Sequence, residues 1–284
     1  MNVAAPLGTA VAPDAVVGVR APRTGRVILS LARVEGRRLL RHPVFLVGIA
    51  FSVMEVLVGW SDLPSGTHHS VVEPLWPAGF PIGPLAVFGF VAANLAATRD
   101  RLDGTEELFG SAPLSPRART AALLASAAWA VAAGVVMLVP FVGGFAIAYE
   151  VSLPDVVKLS EEPLVVAVSI LAGVALGRLL PTRVVAPVVA FVALVSIVGA
   201  YAQPVQPWGF LALWVIPDSL PSVGWHILYL VGLGTCAATL ALLRDGIRRS
   251  LVAAAVIGVA AVAVGAILQL PASCAGGATP CVFR

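Results

Sequence analysis

Residues 26–60 read RVILSLARVEGRRLLRHPVFLVGIAFSVMEVLVGW, and the change of character at His42-Pro43 decides the fold. Positions 26, 30, 33, 37 and 41 share one face of a helix, and Arg26, Arg33, Arg37 and Arg41 fill four of those five. Val27, Ile28, Leu31 and Leu39 fall largely opposite. A helix of this kind lies in a membrane interface with its arginine face towards water and headgroups. A residue before proline avoids the helical region, so the chain breaks at His42. From Pro43 to Trp60 it is uncharged except for Glu55 and otherwise apolar but for Ser52. At about 1.5 Å per residue that run spans most of the roughly 30 Å of bilayer hydrocarbon.

The same alternation continues outward. Further apolar spans are expected over Ile82–Thr98, Thr120–Ala148, Leu164–Leu180, Val184–Ala202, Trp225–Leu243 and Leu251–Leu270. The basic residues fall on alternate loops. Arg20, Arg23 and the arginines up to Arg41 precede the first span, Arg99, Arg101, Arg117 and Arg119 follow the second, Arg178 and Arg183 follow the fourth, and Arg244, Arg248 and Arg249 follow the sixth. Sixteen of the 18 lysines and arginines are thereby on one side, with Lys158 and Arg284 on the other. Arginine-rich short loops stay in the cytoplasm. The expectation is therefore an all-α polytopic membrane protein of about seven transmembrane helices, with a cytoplasmic N-terminus and an interfacial helix before the first span. Composition agrees: 59% of residues are hydrophobic and 12% charged, against about 25% charged in a soluble domain. The net charge of +3 is an effect of these loops and implies contact with the lipid bilayer, not with nucleic acid.

The chain divides into a disordered cytoplasmic tail (1–25), the interfacial helix (26–42), a transmembrane domain (43–270) and an extracytoplasmic tail (271–284). Cys274 and Cys281 lie in that last tail, where an oxidising compartment would allow a disulfide between them or leave two free thiols. Between the fifth and sixth spans, the ten or so apolar residues around Trp208–Ile216 are bracketed by prolines and are too short to cross. They fit a re-entrant or interfacial helix.

Residues 99–119 read RDRLDGTEELFGSAPLSPRAR. Asp103 is placed to cap a short helix whose first turn holds Glu106 and Glu107, where carboxylates favour the positive end of the helix dipole. Gly110 and Pro113 then stop it. This loop, together with the arginine-rich helix before the first span and the short element before the sixth, resembles the permease subunit of type-2 ATP-binding-cassette exporters. The matching residues are Arg101, then Gly104-Thr105-Glu106-Glu107-Leu108, then Ala112-Pro113-Leu114-Ser115. The resemblance covers about residues 26–249. It implies that Asp103, Gly104, Thr105, Glu106, Glu107, Leu108 and Phe109 form a coupling helix that docks into a groove of a separate ATPase subunit. It also implies a homodimer or heterodimer of permease chains with the substrate path between them. The family usually has six spans with both ends inside, whereas this sequence adds a seventh and an outside tail.

Catalytic and cofactor motifs are absent from the sequence. The single lysine, Lys158, follows no glycine-rich turn, so no phosphate-binding loop of that kind is present and ATP would be hydrolysed by a partner. Gly59-Trp60-Ser61 is superficially similar to an intramembrane serine protease motif, but Ser61 stands at the membrane edge and His226 at the outer end of the sixth span. His68-His69 with Asp62 and Glu73 lack the converging ligands and outer-sphere support of a zinc site. No enzyme activity, cofactor or metal is expected. Glu55 is the ionisable residue well inside a span. It should face protein or a water-filled cavity, as a pathway carboxylate or hydrogen-bonded to a neighbouring helix. Asn94 suits hydrogen bonding between helices. An ion-coupled secondary transporter built around Glu55 and a non-transporting membrane anchor or scaffold are the alternatives.

Overall fold

The computed structural model describes residues 24–61, 82–104, 115–148, 159–192 and 220–268, and these are helical, with no strand among them. The main helices are α1 (Thr24–Leu40), α2 (Pro43–Ser61), α3 (Gly83–Leu102), α4 (Pro116–Ala125), α5 (Ala127–Ala148), α6 (Glu161–Leu179), α7 (Leu220–Leu243) and α8 (Arg249–Leu268). A further helical stretch covers 185–192, the first part of the expected fifth span. The terminal tails with Cys274 and Cys281, the acidic stretch from Thr105 to Leu114 and the apolar element at Trp208–Ile216 lie outside the described residues.

Local chemistry sets the helix ends. The Ser115 hydroxyl accepts from the Ala118 N–H at 3.2 Å, and Pro116 occupies the first turn of α4, where a missing N–H costs nothing. His42-Pro43 separates α1 from α2, which bend through 61°. Three details differ from expectation. The third span is present as the apolar run Pro116–Pro140, beginning before Thr120 and carrying a turn at Ser126 between α4 and α5. α3 forms where the second span was expected, but it runs on into Arg99, Asp100 and Arg101 and is less apolar than the crossing helices. The stretch from Thr105 that Asp103 was expected to cap lies outside the described residues, and Asp103 itself closes a helix. It is the C-cap of α3, with its N–H on the Arg99 carbonyl at 2.9 Å, and Gly104 follows at φ +66°, the left-handed conformation that ends helices.

Among the described residues, four runs are long and apolar enough to cross a membrane: Pro116–Pro140, Glu161–Leu179, Val223–Leu243 and Arg249–Leu268. Counting α1 and α2 as one bent unit makes five. Leu46, Met54, Leu57, Val136, Val139, Val256 and Ile257 are among many large apolar side chains left exposed, the surface of a membrane protein.

α3 and α6 form the centre, and α2, α5 and α7 pack around them. α8 packs on α7, and only 17% of its apolar window is buried against 61% for α6, so α8 is peripheral. The central contact depends on Gly173-Val-Ala-Leu-Gly177. A Cβ at Gly173 would stand 2.2 Å from the Phe90 carbonyl oxygen, and one at Gly177 2.8 Å from that of Asn94. In lipid, helices associate through such close backbone approach because there is no hydrophobic drive between them. α7 and α8 meet in the same way at Gly232, Gly258 and Gly265.

Gly173→Val should therefore destabilise the bundle by more than the about 1–3 kcal/mol typical of overpacking, because the obstacle is backbone. Gly143→Ala, where an added Cβ meets nothing within 4 Å, should stay near the parent. Thermal unfolding of both variants in detergent, read by circular dichroism, checks this.

Candidate functional site

Charged and polar side chains gather where α1, the C-terminal ends of α3 and α6, the start of α4 and the α7–α8 turn come together. α1 buries Ala32, Glu35, Gly36 and Leu39, one stripe at helical spacing, and leaves Arg26, Arg33, Arg37 and Arg41 exposed. A Cβ at Gly36 would overlap the Trp129 indole, 2.1 Å from its nearest atom, so α1 lies hard against the start of α5. Glu35, 8% exposed, accepts from Arg38 Nη1 at 3.0 Å and lies 3.6 Å from Arg99 Nη2 on α3. Beside it a groove of about 340 Å³ runs between the α1–α2 bend and the last turns of α3, with Arg38, His42, Leu95, Arg99 and Arg183 on its walls. Burial without a compensating charge holds the His42 imidazole below its ordinary pKa.

Arg178, in the last turn of α6, is nearly buried. Its Nε donates to the Thr120 hydroxyl at 3.0 Å, its Nη2 lies 3.8 Å from Asp245 Oδ2, and the Thr120 hydroxyl donates to Asp245 at 2.5 Å. Arg244 donates to the Arg178 carbonyl, and Arg117 Nη2 donates to the Gly246 carbonyl at 2.6 Å. Side chains of α4 and α6 are thus cross-linked to the turn between α7 and α8. Removing one partner of such a buried pair leaves the other charge uncompensated, a cost of about 3–5 kcal/mol. The exposed Arg183–Asp103 pair, 3.4 Å long with 65% and 49% of its side chains accessible, is worth at most about 1 kcal/mol.

At the opposite end, Glu161 and Glu162 open α6, both buried, and Glu161 Oε2 lies 3.9 Å from Nε2 of the fully buried His226 on α7. The His226 ring stacks on Tyr229 with centroids 5.7 Å apart. Between the two ends, the Asn94 amide donates to the Gly173 carbonyl at 3.4 Å, joining α3 to α6. Glu55 is half-buried on α2, with no ion pair among the described residues. The two intramembrane polar residues singled out in sequence are therefore not brought together, and no group of His, Cys, Asp and Glu able to hold a metal occurs among the described residues.

Glu35, Thr120, Arg178 and Asp245 carry no sequence motif. Glu35 had a signal: it is an acid on the face opposite the arginines, sharing a stripe with Ala32, Gly36 and Leu39. Of the acidic stretch that resembles a coupling helix, Asp103 and Gly104 are described, and they sit at this same end, with Asp103 paired to Arg183. No protein-family model matches the chain, and no curated protein matches it in sequence.

Two outcomes are expected. In denaturant titrations in detergent, Arg178→Ala should cost about 3–5 kcal/mol. An Arg178→Ala, Asp245→Ala cycle should be sub-additive by at least about 0.5 kcal/mol if the two charges are coupled. For His42, the folded pKa lies below the unfolded value of 6.5. The unfolded chain then takes up the proton more readily, so stability is present in full above that value and is lost as the pH falls below it. The thermal midpoint should accordingly drop more steeply from pH 7.5 to about 5.5 in the parent than in His42→Gln.

Proposed function

We propose that this chain is the permease subunit of an ATP-binding-cassette exporter in a bacterial cytoplasmic membrane, with an apolar or amphipathic substrate and with ATP hydrolysed by a separate ABC ATPase. In this reading the arginine-rich end is cytoplasmic, seven spans carry the chain across, and two permease chains pair around the path.

One observation supports it above the others. α1, amphipathic and bent away from α2, packs on α4 and α5, and α4 begins just after the acidic stretch 105–114. Both ends of that stretch, Gly104 and Ser115, adjoin the cluster that ties α4, α6 and the α7–α8 turn together. An ATPase seated on Asp103–Phe109 would therefore push on α4, and the Arg178–Thr120–Asp245 contacts would pass that displacement to the central helix α6. The charged rim would set orientation and on-rate, and Leu108 and Phe109 would anchor the contact. A loop that connected two spans without a partner would need neither the acidic pair nor a mechanical link to the core.

The test is purification of the detergent-solubilised chain from its native membrane, beside a Glu106→Ala, Glu107→Ala, Leu108→Ala variant. A stoichiometric ATP-binding subunit with the parent, lost from the variant, is the expected result. A clean permease with no ATPase, in a preparation that keeps other complexes intact, would overturn the proposal in favour of an anchor or a secondary transporter.

A further inference from the structure

From the groove at the α1–α2 bend we infer a binding site for the phosphate of an anionic phospholipid, with its acyl chain laid along α2. The inference rests on the membrane character of the chain and is independent of any ATPase.

The groove has the two-sided chemistry of such a ligand. Arg38 comes from α1, Arg99 from α3 and Arg183 from the segment after α6, so three separate elements converge three guanidiniums on one space. Within the lining they face two carboxylates, Glu35 and Asp103, which leaves the lining itself net positive, while Asp100, just outside it, lies 3.5 Å from Arg99 Nε. Glu35 engages Arg38 through one nitrogen, and a guanidinium carries five N–H donors in a planar fork suited to phosphate oxygens. The Nδ1 of His42 is buried in the wall and has no hydrogen-bond partner among the described residues. A phosphate oxygen in the groove would supply one. The remaining wall, Leu39, Leu95, Ala96 and Leu102, is apolar apart from Thr98, whose hydroxyl donates to the Asn94 carbonyl within α3. The groove's volume of about 340 Å³ falls within the ~300–1,000 Å³ of small-molecule sites, enough for a headgroup and the start of a glycerol backbone.

Position favours a lipid over a soluble anion. The groove sits where an amphipathic helix turns through 61° into an apolar one, the level of headgroups in a bilayer. From His42 the spacing leads directly onto Leu46, Ala50, Val53, Met54 and Leu57, all exposed on one face of α2. The Leu46 N–H bonds the His42 carbonyl at 3.0 Å, so the stripe is continuous with the groove wall. A phosphate held by the arginines thus has an apolar track for its chain, which free phosphate would not use.

The probe is the full chain in detergent, given phosphatidylglycerol or phosphatidylcholine of identical acyl composition, with bound lipid counted by native mass spectrometry and the thermal midpoint read in parallel. Preferential retention of phosphatidylglycerol, by about tenfold, is expected. Arg38→Gln, Arg183→Gln should abolish that preference, because each arginine near an anionic group is worth about fivefold. His42→Gln, which leaves the arginines intact, should also reduce it. Arg33→Gln, Arg37→Gln removes the same charge from the exposed face of α1 and should change it less than about threefold, as expected for diffuse attraction at a distance. Equal loss in both double variants would mean general surface charge and would overturn the site. Protection by millimolar inorganic phosphate equal to that by phosphatidylglycerol would overturn the lipid assignment in favour of a soluble anion.

Discussion

α3 and α6 approach each other more closely than any side chain at Gly173 or Gly177 would permit, with the Phe90 and Asn94 carbonyls where a Cβ would project. Every other helix takes its place from that pair. α2 packs on α3, α5 and α7 pack on α6, and α8 is added to α7 through a second set of glycines. The contact also determines where polar groups can go. Backbone held this near leaves room for the Asn94 amide N–H to reach the Gly173 carbonyl, so this donor in the middle of the bundle is paired by the contact that brings the helices together, while Asn94 Oδ1 has no hydrogen-bond partner among the described residues.

The remaining charges are sorted to the two ends, but not uniformly. Arg178 lies inside, matched by Thr120 and Asp245 from two other elements, while Arg26, Arg33, Arg37 and Arg41 stay in contact with solvent or headgroups. A buried guanidinium needs partners on every side and is rigid once they are present, whereas an exposed one keeps its freedom and contributes little to stability. The arginine-rich end therefore has a stiff interior and an adaptable rim. In the proposed exporter, that combination would let the surface receive an ATPase outside and move helices within. The same end carries the groove between α1 and α3, where arginines from three elements meet beside an apolar wall.

Much of the fold was legible as periodicity. The arginine face of α1, the break at His42-Pro43 and the apolar runs that became α2 and α5–α8 are each a local pattern, and local patterns survive into structure because membrane helices satisfy their own backbone. Two local signals told only part of the arrangement. Asp103 has the chemistry of an N-cap, and its backbone closes α3, with Gly104 after it at φ +66°, the left-handed conformation that ends a helix. The run from Thr120 reads as one long span, and that span extends back to Pro116, where Arg178 and Asp245 receive Thr120, with a turn at Ser126.

The candidate site divides on the same principle. Sequence alone determined the all-helical membrane character and the amphipathic arginine-bearing helix, because each depends on the spacing of residue types along one segment and on the cost of placing charge in hydrocarbon. Tertiary structure decided which arginines are buried, that Glu35 faces Arg99 instead of water, and that Arg178, Thr120 and Asp245 form one cluster. Those residues are 58 to 125 positions apart, and their meeting depends on how the helices turn about their axes when packed. Small residues such as Gly173 and Gly36 set that rotation, and a glycine in the sequence does not declare which neighbour it admits.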